Sequence, residues 1–500
     1  MATESSAPDP AVVLASGPVA GAGAGPGDGT VALPRLSTFG GRLALRLPRV
    51  ALHPLAGPIA LAALIVGALL VVLFTTAGPN ALVPRSEAVF PGWEAGPLHL
   101  ISRGLPTSNH TAYTIGFTVV LVLMTLAYGI VLASVRRFSV RTIVLAVVAL
   151  HVILLMTPPI SLTDLFNYLG YARLGGLHHL NPYTHVIQDE LRDPVFRFTT
   201  WHHLPSPYGP LFSVLSYPIS WLPLAWAYWV IKLVTVLSSL AFLWLVYKCA
   251  RLLGRDPRFA VLFVAANPIF LMFEVAGFHN DFFMLIPSMA AIALLLARRD
   301  RSAGAMVVLA VAVKFTAVLL LPFLLLAARP NRRRINVLVG AAAAAVPLGI
   351  MYLALFGLSL PNLADQSTLL TPWAIPNLVG LILHVGGGTP TMLRLANVAV
   401  VVCVALLLRR RQNWLEGTGW STLALIASLA WLVPWYVVWL LPLAALATSY
   451  RLRQAALILT VYLVFGFAPY TGSLLSKVHI NLMNSPAGHA SQSLQKKLEQ

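Results

Sequence analysis

The residues of this chain best suited to chemistry are a few charges set in apolar text. Asp164 opens the polar, aromatic stretch Thr163–Tyr183, in a chain with only 16 Asp and Glu residues. A carboxylate there is a candidate general base, able to take a proton from an incoming hydroxyl. Lys314 stands mid-way along an apolar run of about 26 residues, too deep for its stem to snorkel comfortably to water. A hydrated ammonium beside the start of a short helix suits a phosphate group. Arg173 offers a second cation for the same anion. His279 and Asp281 share a polar turn, Gly277-Phe278-His279-Asn280-Asp281, between apolar segments.

Each of these residues also has a purely structural explanation. Asp164 could cap a helix beginning at Leu165, and Asp281 the span that follows it. Glu274 shares a helix face with Asp281 if the helix continues, which makes it a candidate partner for Lys314. Arg173 could be an interfacial anchor. His178 with His179, and His202 with His203, lack the i, i+4 spacing of a helical metal site. Tyr168, Tyr171, Tyr183, Trp201, Tyr208, Trp373, Trp435 and Tyr436 form either an aromatic belt at the membrane interface or a surface on which sugars stack.

The elements that must position these residues are membrane helices. The sequence is 58% hydrophobic and only 10% charged, with a mean hydropathy of +0.80, whereas soluble domains carry about 25% charged residues. Long apolar runs recur and no period-two alternation is present, so the expected fold is an all-α polytopic transmembrane bundle. The net charge of +18 falls in short clusters between apolar segments, which fits cytosolic loops and argues against nucleic acid as a partner. The two cysteines, Cys249 and Cys403, lie in or beside apolar helices and imply no disulfide or metal framework.

Charge clusters then set the topology. Residues 1–54 read as a disordered cytosolic tail, rich in Ala, Gly, Pro and Ser and closed by Arg35, Arg42, Arg46 and Arg49; no signal peptide is expected. Spans near Leu55–Thr76, Tyr113–Ala133 and Thr142–Thr157 deliver Asp164 to an external loop, residues 159–206. A span near Ala225–Tyr247 returns, Phe259–Gly277 goes out to the His279–Asp281 turn, and Phe282–Ala297 comes back. Pro207–Leu222 is short, apolar and Pro-rich, so it reads as interfacial or re-entrant.

Two apolar runs lie between basic clusters that both look cytosolic. Residues 302–328 span roughly 39 Å as a helix, enough for one crossing and not two. A hairpin of two half-helices, with Lys314 at or beyond the midplane, resolves the conflict; such backbone is tolerated where it lines a cavity. Trp420–Thr448 poses the same problem, and Pro434-Trp435-Tyr436 marks its tip. Both second half-helices would aim their positive ends at an outer cavity. Spans Ile335–Leu358, Thr391–Leu408 and Ala455–Phe467 complete a domain over residues 55–472, with about eleven to thirteen membrane segments. Residues 473–500 read as a polar tail.

In order along the chain stand Asp164-x-Phe166-x-Tyr168, Ala172-Arg173, Asn181-Pro182-Tyr183, Pro207-Tyr208-Gly209-Pro210, Asn267-Pro268, Gly277-x-His279-x-Asp281, Lys314-Phe315 and Pro434-Trp435-Tyr436. Together they resemble the GT-C superfamily of polyprenyl-phosphate-sugar glycosyltransferases. They are most similar to the actinobacterial polyprenol-phosphomannose-dependent α-1,6-mannosyltransferases, over Ile160–Pro442. The resemblance implies an inverting transfer at the outer face of the cell membrane, from polyprenyl-phosphate mannose to an α-mannoside glycolipid of the lipomannan type. It implies Asp164 as base. Lys314 and Arg173 would hold the donor phosphate, and Tyr168, Tyr183, Tyr208, His279, Asp281, Trp373, Trp435 and Tyr436 the substrates.

The residues themselves call for no metal or other cofactor: Asp-x-Asp, Walker A and dinucleotide-binding glycine patterns are all absent. Some superfamily relatives do use a divalent metal. Two alternatives stay open, the same fold acting on arabinofuranose or glucose, and a lipid or solute transporter, which also uses broken helices and midplane charges. No internal repeat supports transport, and a non-catalytic scaffold would leave Asp164 without a purpose.

Overall fold

The computed structural model describes residues 52–83, 89–410 and 413–499, and the expected N-terminal tail lies outside them as far as residue 51. The described residues form an all-helical, polytopic membrane bundle with no strand. Five helices are long and apolar enough to cross a bilayer: Ala56–Thr76, His110–Ala133, Leu224–Leu252, Asn331–Phe356 and Pro390–Arg409. A sixth forms if Tyr450–Phe467 and Pro469–Lys477, bent by 65°, count as one. Shorter apolar helices, Val140–Leu155, Asp281–Leu296, Phe315–Ala327 and Pro434–Leu446, accompany them, and the last of these is almost wholly buried.

The expected span Phe259–Gly277 is not continuous. The helix Pro257–Ala265 stops at Asn267-Pro268, and a short π-helical turn, Phe270–Val275, follows. Pro268 has no N–H to continue the ladder. Asn267 compensates: its Oδ1 accepts from the N–H groups of Ile269 and Phe270, and its Nδ2 donates to Thr460 Oγ1 at 3.0 Å. Phe278 then takes φ +55°, and a new helix starts at Asp281.

The two broken runs do break where the sequence suggests. Asp300–Val313 ends at Lys314, whose backbone is extended at φ −148° and ψ 118°, and a 3-10 turn Phe315–Leu319 leads into Leu320–Ala327. Trp414–Ser428 ends before a 3-10 turn at Pro434–Tyr436, which leads into Val437–Leu446. The first of these helices packs backbone to backbone on Asn331–Phe356. A Cβ on Gly304 would lie 1.9 Å from the Val337 carbonyl oxygen, and one on Gly340 would lie 1.8 Å from that of Arg301. Small residues permit such approaches, and dispersion between the backbones holds them. Arg333 closes the far end of this pair on Asp300, at 2.6 Å.

The loop over residues 159–206 is a folded unit. Phe166 stacks against Phe198 and Tyr228, with ring centroids 5.0 and 5.6 Å away. Asn167 Oδ1 accepts from the N–H groups of Thr200 and Trp201, and Tyr171 donates to Leu204 O. Within Pro207–Leu222, the segment expected to be interfacial or re-entrant, Pro210–Ser220 forms a helix of 11 residues packed on the helix Asp164–Gly176. The polar tail is folded as well. A helix at Pro486–Glu499 docks on this loop, where His203 N–H donates to Leu498 O at 2.9 Å and Leu498 packs with Leu204 and Leu369.

Candidate active site

Four segments far apart in sequence converge on one cavity of about 680 Å³. The stretch from Asp164 to Tyr208 brings Asp164, Tyr168 and Tyr208; the polar turn brings Asn280 and Asp281; the first helix break brings Lys314, and the second brings Trp435, Tyr436 and Trp439. Asp164 is the first residue of its helix, after Thr163, and no backbone N–H of that helix bonds to its carboxylate. The carboxylate therefore does not cap its helix. It stands 3.4 Å from His279 Nδ1, and the His279 ring stacks flat on Trp435 with centroids 3.6 Å apart. His279 is almost fully buried and lies behind Asp164 rather than in the cavity wall.

Asp281 is likewise the first residue of its helix. One of its oxygens accepts both from Lys314 Nζ, at 2.6 Å, and from Trp439 Nε1, at 2.5 Å. Lys314 also lies 5.4 Å from the Tyr436 ring centroid and 5.3 Å from that of Trp439. Its partner is thus Asp281. Glu274, the expected candidate, is fully buried with neither oxygen hydrogen-bonded. The π turn and the positive φ at Phe278 explain the exchange, because they rotate Glu274 off the face that Asp281 presents. An ammonium has three donors, and Lys314 keeps 20% of its side chain exposed toward the cavity, so N–H groups remain for a ligand.

Tyr168 and Tyr208 pack edge to face with centroids 5.1 Å apart, and the Tyr168 hydroxyl accepts from Asn280 N–H at 3.3 Å. Burial, and then the neighbouring negative charges, hold both phenols well above their ordinary value. They stay protonated, which leaves Asp164 the better base of this wall. Tyr208 is fixed from behind: Tyr183, buried against Phe356, donates to the Tyr208 carbonyl at 2.9 Å.

Besides His279, three expected site residues do not line the cavity. Tyr183 acts only through Tyr208. Trp373 packs edge to face on Tyr462 and Phe465. Arg173 faces the other way: its Nε lies 2.8 Å from Asp193, its Nη1 donates to Ser220 O, and His178 completes the cluster on Asp193 at 2.7 Å. A guanidinium so occupied is a buried structural ion, so Arg173 is not available to a donor phosphate. Burial raises the Asp193 carboxyl, but His178, the Val195 N–H and Arg173 outweigh it and hold it below the usual carboxylate value. Among the described residues no three His, Cys, Asp or Glu side chains converge in a geometry that could hold a metal.

Against known proteins, the N-terminal domain profile of the alpha-(1→6)-mannopyranosyltransferases matches residues 61–330, and an MptB C-terminal domain profile matches residues 374–488. The chain belongs to the alpha-(1→6)-mannopyranosyltransferase family. Among its relatives, alpha-(1→6)-mannopyranosyltransferase A of Mycobacterium tuberculosis is 26% identical, over 63% of this chain and 67% of its own. A probable alpha-(1→6)-mannopyranosyltransferase of Mycolicibacterium smegmatis is 25% identical, over 74% and 76%. No solved structure matches the chain. Both profiles contribute to the cavity of this family member: Asp164, Asp281 and Lys314 come from the first, Trp435, Tyr436 and Trp439 from the second.

Among the lining residues outside the expected site are two tryptophans. Trp439 is one helical turn beyond Tyr436, a spacing that puts both on one face. Trp431 has no comparable signal, because it sits in the irregular link before Pro434.

Proposed function

We propose that this protein moves a mannosyl group from polyprenyl-phosphate mannose to a hydroxyl of an α-mannoside glycolipid, with inversion, on the extracytoplasmic face of the cell membrane. The observation that carries the reading is the shared cavity, with a carboxylate, Asp164, on one wall and an ammonium, Lys314, on another.

Asp164 takes the proton as the acceptor oxygen attacks the anomeric carbon. The new glycosidic bond forms as the bond from that carbon to the phosphate oxygen breaks, and the bonding pair leaves on the lipid phosphate. That leaving group is already an anion and needs a cation rather than a general acid. Lys314 supplies the charge, held in place by Asp281 and Trp439, and the N-terminal turns at Phe315 and Pro434 add their dipoles. His279, clamped by Trp435, orients Asp164 and can accept its proton afterwards. Exposed Phe315, Leu360 and Leu363 at the cavity edge give the polyprenyl chain an apolar exit. As drawn, the reaction uses no metal.

The test is a panel of polyprenyl-phosphate sugars offered to purified protein with an α-mannoside acceptor. Mannose is the expected donor, and arabinofuranose or glucose in its place would replace the sugar assignment. Asp164→Asn should lower transfer by about 10²–10⁴-fold in normally expressed protein, and full activity would remove Asp164 as base. Lys314→Ala should raise the donor KM more than the acceptor KM; equal effects would reduce Lys314 to a structural ion.

A further inference from the structure

The mechanism leaves a fully buried lysine unused. Lys232 stands about two turns into the helix Leu224–Leu252, and it does not line the cavity. Three rings enclose its Nζ, with centroids at 3.9 Å for Trp229, 4.6 Å for Tyr228 and 4.9 Å for Phe278. That nitrogen donates to the Tyr228 hydroxyl at 3.3 Å, and the hydroxyl donates to the Glu94 carbonyl at 3.2 Å. The Glu94 side chain, also fully buried, supplies the opposing charge. Three ring faces and a carboxylate suit an ammonium. A methionine would fill the same space without the cost of desolvating two charges, so packing alone does not account for the pair.

The rings of this cage reach two different arms of the site. Tyr228 stacks on Phe166, with centroids 5.6 Å apart and planes inclined by 13°, and Phe166 lies two residues after Asp164. Phe278, fully buried at φ +55°, directly precedes His279. The arms meet again where Asp164 stands 3.4 Å from His279 Nδ1. We infer that Lys232 is a positioning residue for the base: its caged ammonium holds the helix that carries Asp164 and the turn that carries His279 in one register. The inference rests on the role proposed above for Asp164. Its physical basis is the cost of parting a desolvated cation from an aromatic face where no solvent can replace the ring. Sliding either arm draws a ring off the ammonium, whereas contacts among apolar side chains are non-directional and would tolerate the slip. Trp229 ties in the segment that carries Glu94, its Nε1 donating to Trp93 O at 2.9 Å. Since it does not line the cavity, Lys232 acts on the reaction only through this register.

The test removes the pair together, since Lys232→Met alone would strand Glu94 as an uncompensated buried charge. The full-length Lys232→Met/Glu94→Gln protein in detergent should keep its donor and acceptor KM and lose kcat about 10- to 100-fold. In a His279→Ala background the contact that the cage aligns is already gone, so the same two substitutions should cost no further kcat. A role in packing alone would cost the same in both backgrounds. Unchanged kcat in the folded paired variant, or a loss that multiplies with that of His279→Ala, would overturn the inference. Phe278→Leu opens the cage but leaves the charge pair intact, and it carries the same cycle if the paired variant does not fold. Hydrogen exchange read by mass spectrometry needs no substrate: the variant should exchange faster over both 163–168 and 277–281, with Val140–Leu155 unchanged. Acceleration of one segment alone, or of neither, would equally overturn it. If the wild type transfers no lipid-phosphate sugar, the reading of function fails, and the exchange pattern still decides whether Lys232 joins the two arms.

Discussion

Gly209 offers the sharpest test of how the cavity is held together. It lies in Pro207-Tyr208-Gly209-Pro210, where its N–H donates to Val313 O at 3.1 Å, immediately before Lys314. A Cβ there would stand 2.2 Å from the Ala312 carbonyl oxygen and 2.8 Å from that of Val313. Gly209 has φ −68°, so alanine meets no torsional objection and the effect is purely steric. Both obstructing atoms are backbone, so the loop must move away from the helix end by about 1 Å, at an overpacking cost of about 1–3 kcal/mol. That movement separates Tyr208 from Lys314, and a 1 Å error in a catalytic constellation can cost about 100-fold in rate. Gly209→Ala should therefore lower kcat/KM about 100-fold in purified protein, with only a modest fall in the thermal midpoint. Gly349→Ala, at a helix position with nothing within 4 Å, should leave turnover unchanged. Wild-type turnover in folded Gly209→Ala protein would show that contact between loop and helix break does not set the geometry.

Arg173→Ala should lower the thermal midpoint, because it leaves Asp193 nearly buried without its guanidinium at a cost of about 3 kcal/mol. The donor KM of the folded protein should not change, as measured in the same assay; a selective rise would restore Arg173 to the donor site. The Asp193 carboxyl is held below the ordinary value of 3.8. Its contribution to stability is therefore complete above that value and is lost as pH falls through the depressed, folded-state value. Hydrogen exchange around residues 178–195 should accelerate below about pH 3.8, and Arg173→Ala should move that onset upward. An unchanged onset would mean that the guanidinium does not set the carboxyl's affinity for protons.

Much of this molecule is legible in its sequence, because a bilayer penalises charge and unpaired backbone wherever they occur. Apolar runs and arginine clusters therefore mark the long helices within a few residues. A lysine with too little apolar chain on either side to cross twice betrays the break at Lys314. Pro434 marks the second break in the same way, and the ordered motifs from Asp164 to Tyr436 carry the family.

Which charge meets which is another matter, because it depends on the path of the backbone between them. Glu274 and Asp281 look equivalent as partners for Lys314 on a continuous helix. A proline, a π turn and one positive φ between them hand the lysine to Asp281. Arg173, Tyr183 and Trp373 have the residue types of a substrate site, yet Asp193, the Tyr208 carbonyl and the ring of Tyr462 claim them. The C-terminal helix reads as polar tail text, and only its docking on His203 and Leu204 shows it buttressing the wall beside Asp164. The sequence by itself decides what each segment must avoid in lipid. The tertiary structure decides who faces whom, since contacts between residues hundreds of positions apart leave no local trace.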